Sequence, residues 1–226
     1  MANDQAKEDQ SASGLVVDGD LCPCAVPVRN WSDHGMLVVP GEGARPRRRR
    51  IDLLVGHWTG SERGPERVFK TLRARSLGVE FCIGASGDVW QFADPAITDT
   101  FDAGIANRRS AGVEIVSYGF RRKQDDVPTA ALAREHEWRR INRERQLFAK
   151  FYPAQLASFL ALAVALSAAI PTLPLQIPRN AWGKPLARTM SKRELAQFSG
   201  ILGHFHVSRR KLDPGLHIFE YLDAAL

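Results

Sequence analysis

Apolar positions fall into short runs with strand or helix spacing, separated by polar turns. "IDLLVGHW" carries a mostly apolar run, Ile51 to Val55, that stops at Gly56-His57 and predicts a buried strand. Between Pro65 and Arg75, Val68, Phe69 and Leu72 recur at helical spacing, and Pro65 suits a first turn, so a helix is predicted there. "VEFCIGASGDVWQF" reads as a hairpin, with a Gly-Ala-Ser-Gly turn between two apolar strands. "AGVEIVSYG" predicts a further strand over Gly112 to Tyr118. Leu156 to Ile170 is the most apolar segment, but it is shorter than the about 20 residues needed to span a bilayer. It predicts a buried core helix, and no transmembrane segment is expected. Ser191-Lys-Arg-Glu194 has the spacing of a capping box and predicts a short helix running toward Gly200. Strands and helices alternate, which points to a mixed α/β domain.

The flanking regions differ in character. Residues 1–50 read as an N-terminal extension. It is polar and expected to be disordered up to about Gly14, and continues as an arm of short apolar stretches packing on the domain. The arm ends in the basic run Arg45 to Arg50, read first as a solvated linker and second as a contact for an anionic surface. Residues 51–226 form the domain itself. Within it, about 120–150 is dense in Arg, Glu and Gln, with Leu132, Trp138, Ile141 and Phe148 irregularly spaced, and reads as an exposed helical insertion with one apolar stripe.

At 226 residues the chain builds a core without disulfide support. Its three cysteines, Cys22, Cys24 and Cys82, make neither a disulfide framework nor a zinc knuckle. The net charge of +6 suggests an anionic partner: nucleic acid, a phosphate-rich surface or a cell-wall polymer. No apolar core of a secretory signal follows Met1, so synthesis in the cytoplasm without a Sec signal peptide is expected, with any release to the cell wall by lysis or a specialised route.

Candidate chemistry gathers in "GHFHVSRRKLDPG" near residue 204. Two histidines and one carboxylate form a common catalytic zinc set that leaves a position for water. His57 at a strand end, His204 after the apolar "SGILG" and Asp213 before a Pro-Gly turn make such a set, with His206 ranked second to His204. Lys211 precedes Asp213 by two, so in an extended segment both project to one side, where a cation would stabilise developing negative charge. Glu114 interrupts an apolar strand, which is costly unless the carboxylate is paired or used. Glu80 raises the same question, with a buried salt bridge as the alternative.

Taken in order, "VGHWTG", "LGVEFCIGASGDVWQFAD", "FDAGIANRRSAGVEIV" and "GHFHVSRRKLDPG" resemble the type 2 N-acetylmuramoyl-L-alanine amidases, which share a fold with peptidoglycan recognition proteins and phage amidase lysins. The resemblance runs from about Ile51 to the C-terminal residues. It implies a single mixed central β-sheet flanked by helices, and zinc held by His57, His204 and Asp213. It further implies an oxyanion-stabilising Lys211, an acid/base Glu114, and Glu80, Asp102 and Asn107 among the substrate-contacting positions. The implied activity is zinc-dependent hydrolysis of the amide between N-acetylmuramic acid and L-alanine, in peptidoglycan or muropeptides, during cell-wall degradation or recycling. Three positions depart from the family pattern: Val79 stands where some relatives carry a catalytic tyrosine, Glu80 where a histidine is usual, and the familiar "HAG" reads Asp102-Ala103-Gly104. The alternative is a non-catalytic peptidoglycan-binding module, because several relatives keep the fold without zinc. Nucleic-acid binding through Arg45–Arg50 and Arg139–Arg145 would explain the charge but not Lys211, Asp213 or Glu114, so no nucleic-acid partner is expected.

Overall fold

A computed structural model describes residues 14–121 and 134–226. The disorder expected before Gly14 and the Leu132 part of the insertion lie outside these residues. Leu15–Val17 (β1) and Asp20–Cys22 (β2) pair as a hairpin, followed by Val28–Arg29 (β3), the one-turn helix Trp31–His34 (α1) and Ala44–Pro46 (β4). Then come Leu53–Trp58 (β5), Pro65–Arg73 (α2), Phe81–Ile83 (β6), Val89–Gln91 (β7), Thr98–Thr100 (β8), a 3-10 helix over Gly104–Arg109 and Ser110–Ile115 (β9). Phe120–Arg121 (β10), His136–Ile141 (β11), Glu144–Ala149 (β12), Pro153–Ala169 (α3), Lys192–Gln197 (α4), Gly200–Gly203 (β13), His204–Val207 (α5) and His217–Ala225 (α6) complete the order.

Six strands form the central sheet in the order β13-β5-β9-β6-β7-β3. β13, β5, β9 and β6 run parallel to their neighbours, and β7 is antiparallel to β6, so the sheet is mixed, as expected. Side chains alternate between its faces. Leu54, Phe81, Ile83, Val113, Ile115 and Ile201 turn toward α3, where Leu156, Phe159, Leu162 and Leu166 are buried with them. Each such side chain contributes about 1.5–3 kcal/mol by leaving water. Leu53, Val55 and Leu202 turn the other way, onto Ala103, Ala106 and Leu195. His57 follows Leu53 and Val55 in parity, and Glu114 is its register partner, so both project from this second face near the C-terminal ends of parallel strands. Open α/β sheets place their ligand crevices at those ends. Among the described residues no helix is long and apolar enough to cross a membrane.

Two expectations are corrected. Over His136–Ala149 the predicted helical insertion is instead a β-hairpin, with β10 pairing on its second strand in the order β10-β12-β11. Asn142 and Arg143 both adopt positive φ, 52° and 72°, the mark of a type I′ turn whose twist suits two flanking strands. The apolar spacing looked irregular because Ile141 and Phe148 belong to different strands. The hairpin is tied down by Arg134, which binds both Glu62 carboxylate oxygens at 2.8 and 2.9 Å, and by Phe148, packed on Trp58 and Phe120. The second correction concerns the basic run. Arg49 is not solvated: its side chain is 1% exposed and binds Glu80, Asp99, the Pro95 carbonyl and the Asn107 carbonyl. The arm before it packs on the domain as expected, with Leu15, Val17 and Val28 in the main core.

Candidate metal centre and catalytic cleft

β5 and β13 lie side by side in register, with Gly203 opposite Gly56, so the next residue of each chain is a histidine. His57 lies within β5, which extends to Trp58 rather than ending at Val55. The two glycines leave room for the turn that carries the carboxylate. A Cβ at Gly203 would stand 2.7 Å from Pro214 Cδ, and one at Gly56 would stand 3.3 Å from Pro214 Cγ. With Pro214 seated on this bare patch, Asp213 is delivered between the histidines. Its Oδ2 lies 3.1 Å from His57 Nδ1 and 3.1 Å from His204 Nδ1. The Phe205 N–H donates to the Asp213 carbonyl at 3.1 Å and fixes the turn to the start of α5. One ligand atom from each of the three residues lies within 4.8 Å of the others, and all three residues are buried.

The electrostatics favour a cation. Burial pushes the His57 imidazolium down, but hydrogen bonds it donates to Asp102 and Asp213, with the nearby Asp102 and Glu114 charges, raise it to about 10. Burial likewise works to raise the Asp213 carboxyl, yet His204 and His57 hold it well below the usual carboxylate range. Desolvation lowers His204. A potential that retains a proton on His57 also attracts a divalent metal ion to the same donors. Two imidazole nitrogens and one carboxylate oxygen converging in a buried cluster fit zinc, whose catalytic sites use such a three-ligand set.

The donors open into a cavity of about 200 Å³, also lined by Trp58, Thr71, Asp102, Glu114 and Lys211. Glu114 Oε2 is buried without a hydrogen-bond partner among the described residues. Burial raises its carboxyl to about 8, with His57 and Lys211 pulling it down and Asp213 and Asp102 pushing it up. Lys211 is exposed on the rim. The segment holding it is a pair of turns rather than the extended stretch expected, with the Lys211 N–H donating to the Ser208 carbonyl at 3.1 Å.

Other predicted site residues stand elsewhere. Glu80 is fully buried against Arg49 and accepts the Gly112 N–H at 2.6 Å, so it is the salt-bridge alternative that is found. Asn107 does not line the cleft; its Oδ1 accepts the Ala103 N–H at 2.7 Å. Asp102 borders the cleft, but its carboxylate is turned inward, 3.1 Å from His57 Nε2. His206 lies on a helical turn instead of a strand. Its Nδ1 accepts the Gly203 N–H at 2.9 Å and its Nε2 meets the Leu186 carbonyl at 2.8 Å, so both ring nitrogens are occupied away from the centre. Arg67 of α2 and Arg75 in the turn after it also line the cavity and were not singled out in the sequence, where they read as ordinary solvated surface.

The family model for N-acetylmuramoyl-L-alanine amidase matches residues 47–216. The chain belongs to this family. Among solved structures, this amidase-family chain is similar to the endolysin N-acetylmuramoyl-L-alanine amidase LysCS from Clostridium intestinale URNW. The TM-score is 0.53 at 14% identity, over 90% of this chain and 97% of that one. The amidase LysC from the same organism matches with a TM-score of 0.53 at 14% identity, over 88% of this chain and 97% of that one. A selenomethionine AmpD derivative matches with a TM-score of 0.50 at 17% identity, over 92% and 99% of the two chains. At these identities the likeness establishes the amidase fold. No curated protein matches the chain by sequence.

Proposed function

We propose that this amidase-family chain hydrolyses the amide between N-acetylmuramic acid and L-alanine in peptidoglycan or muropeptides, with zinc held by His57, His204 and Asp213. The observation that carries the reading is the convergence of these three donors in a cleft that Glu114 and Lys211 also line. Zinc bound there would supply Lewis acidity, polarising the scissile carbonyl and acidifying water. Glu114 is the acid/base: it takes a proton from the attacking water and returns it to the departing alanine nitrogen as the C–N bond breaks. Its raised value of about 8 leaves it close enough to neutrality to serve in both directions. The Lys211 ammonium, on the rim, stabilises negative charge that grows on the carbonyl oxygen. Without a tyrosine at Val79, the proton traffic rests on Glu114.

The complete donor set and the carboxylate aimed into the cleft support an enzyme over a non-catalytic binding module. Zinc-loaded protein is expected to release new L-alanine N-termini from purified peptidoglycan, and to lose that activity with a chelator and in His204→Ala. Turnover that survives both treatments would overturn the reading. Parallel assays on intact sacculi and on soluble muropeptides identify the preferred substrate form.

A further inference from the structure

We infer that Asp102 is the positioning residue of the metal centre, its carboxylate holding the His57 ring in the orientation and tautomer that present Nδ1 to a divalent cation. The inference rests on the metal reading above and adds a residue to it. A neutral imidazole carries one N–H. Carboxylate oxygens face both His57 nitrogens at 3.1 Å, Asp102 Oδ2 at Nε2 and Asp213 Oδ2 at Nδ1; a cation bound at Nδ1 would displace the proton there, and Asp102 would then accept the one remaining N–H, on Nε2. Metal-bound histidines characteristically donate their second N–H to such a partner, which raises their basicity as ligands.

Four features support this contact. The Asp102 side chain is only 4% exposed, although the residue borders the cleft. Gly112 of β9 makes the approach possible, because a Cβ there would stand 2.2 Å from Asp102 Oδ2. The loop is clamped on its far side, where the Ala103 N–H binds Asn107 Oδ1 and the Asn107 carbonyl is taken by the buried Arg49. The other oxygen, Oδ1, is buried without a hydrogen-bond partner among the described residues, where the His57 contact is the one hydrogen bond found for this carboxylate. Burying a carboxylate in this way is unfavourable unless its charge is used, and the facing imidazole and a cation beyond it are what use it.

The test is zinc affinity, measured by competition with a chromophoric chelator on full-length metal-free protein, for wild type, Asp102→Ala and Asp102→Asn. Asp102→Ala is expected to bind zinc about 10–100-fold more weakly. Asp102→Asn keeps the shape, loses the charge, and is expected to fall between the two. Urea midpoints verify folding, and if Asp102→Ala does not fold, Asp102→Asn decides alone. Wild-type zinc affinity in the variants, with a rise in KM as the sole defect, would make Asp102 a substrate contact and overturn the inference. A wild-type protein that binds no zinc would instead remove the metal reading, before any variant is compared, and the role of Asp102 with it.

Discussion

His204 and His206 stand two residues apart on α5, yet hydrogen bonding separates them: one turns to Asp213, while the other is enclosed by the Gly203 N–H and the Leu186 carbonyl. Protonating His206 would set an N–H against the Gly203 N–H, and burial accordingly pushes its value down to about 3. The folded value lies below the ordinary ~6.5, so its stabilising contribution is complete above about pH 6.5 and is lost as pH falls toward 3. The unfolding free energy from urea titrations is expected to fall by roughly 1.4 kcal/mol per pH unit in that window, and less steeply in His206→Gln. Glu114 gives a different expectation. Glu114→Gln should retain zinc while kcat drops by about 10²–10⁴-fold, the usual contribution of a general acid/base. Metal content measured beside turnover tests both halves of that statement. Full activity in Glu114→Gln would transfer the proton to another group.

Among the elements, the β5/β13 pair shows how local chemistry becomes geometry. Gly203→Ala puts a methyl group 2.7 Å from Pro214 and 2.9 Å from Phe205, whereas Gly56→Ala meets its nearest neighbour at 3.3 Å. Overpacking of the tighter kind costs about 1–3 kcal/mol, so Gly203→Ala is expected to show the larger loss in denaturant unfolding, and weaker zinc binding through a displaced Asp213. Equal, small effects would mean that the Pro214 turn relaxes freely. The three donors were legible in the sequence because each stands beside a local signal, a strand end, an apolar run or an Asp-Pro-Gly turn, whereas the β5/β13 pairing that joins them left none. Nor was the hairpin β11–β12 legible. Its turn, Asn142-Arg143, lacks the glycine that usually marks two positive φ angles, and its charges masked a two-residue alternation.

For the molecule as a whole, the illegible part is the network that joins distant segments. Arg49 meets Glu80 across 31 residues and Asp102 meets His57 across 45, and neither pairing leaves a local pattern. Arg49 was therefore indistinguishable from its exposed neighbours, although it fastens the N-terminal arm to the sheet. Arg49→Leu strands a buried Glu80 carboxylate and is expected to cost about 3–5 kcal/mol, with partial recovery when Glu80→Gln is added. A calorimetric series on the two single variants and the double variant checks this; no recovery in the double variant would locate the loss in the Asp99 and backbone contacts of Arg49 instead. The strand order has a temporal side as well. During synthesis β5, the 102–109 loop and β9 emerge well before β13, which adds to the open side of β5 and brings His204 and Asp213 with it. Until β13 docks, His57 has Asp102 and Glu114 nearby but neither of its proposed co-ligands, so the metal centre is completed by the sheet strand that comes last in sequence.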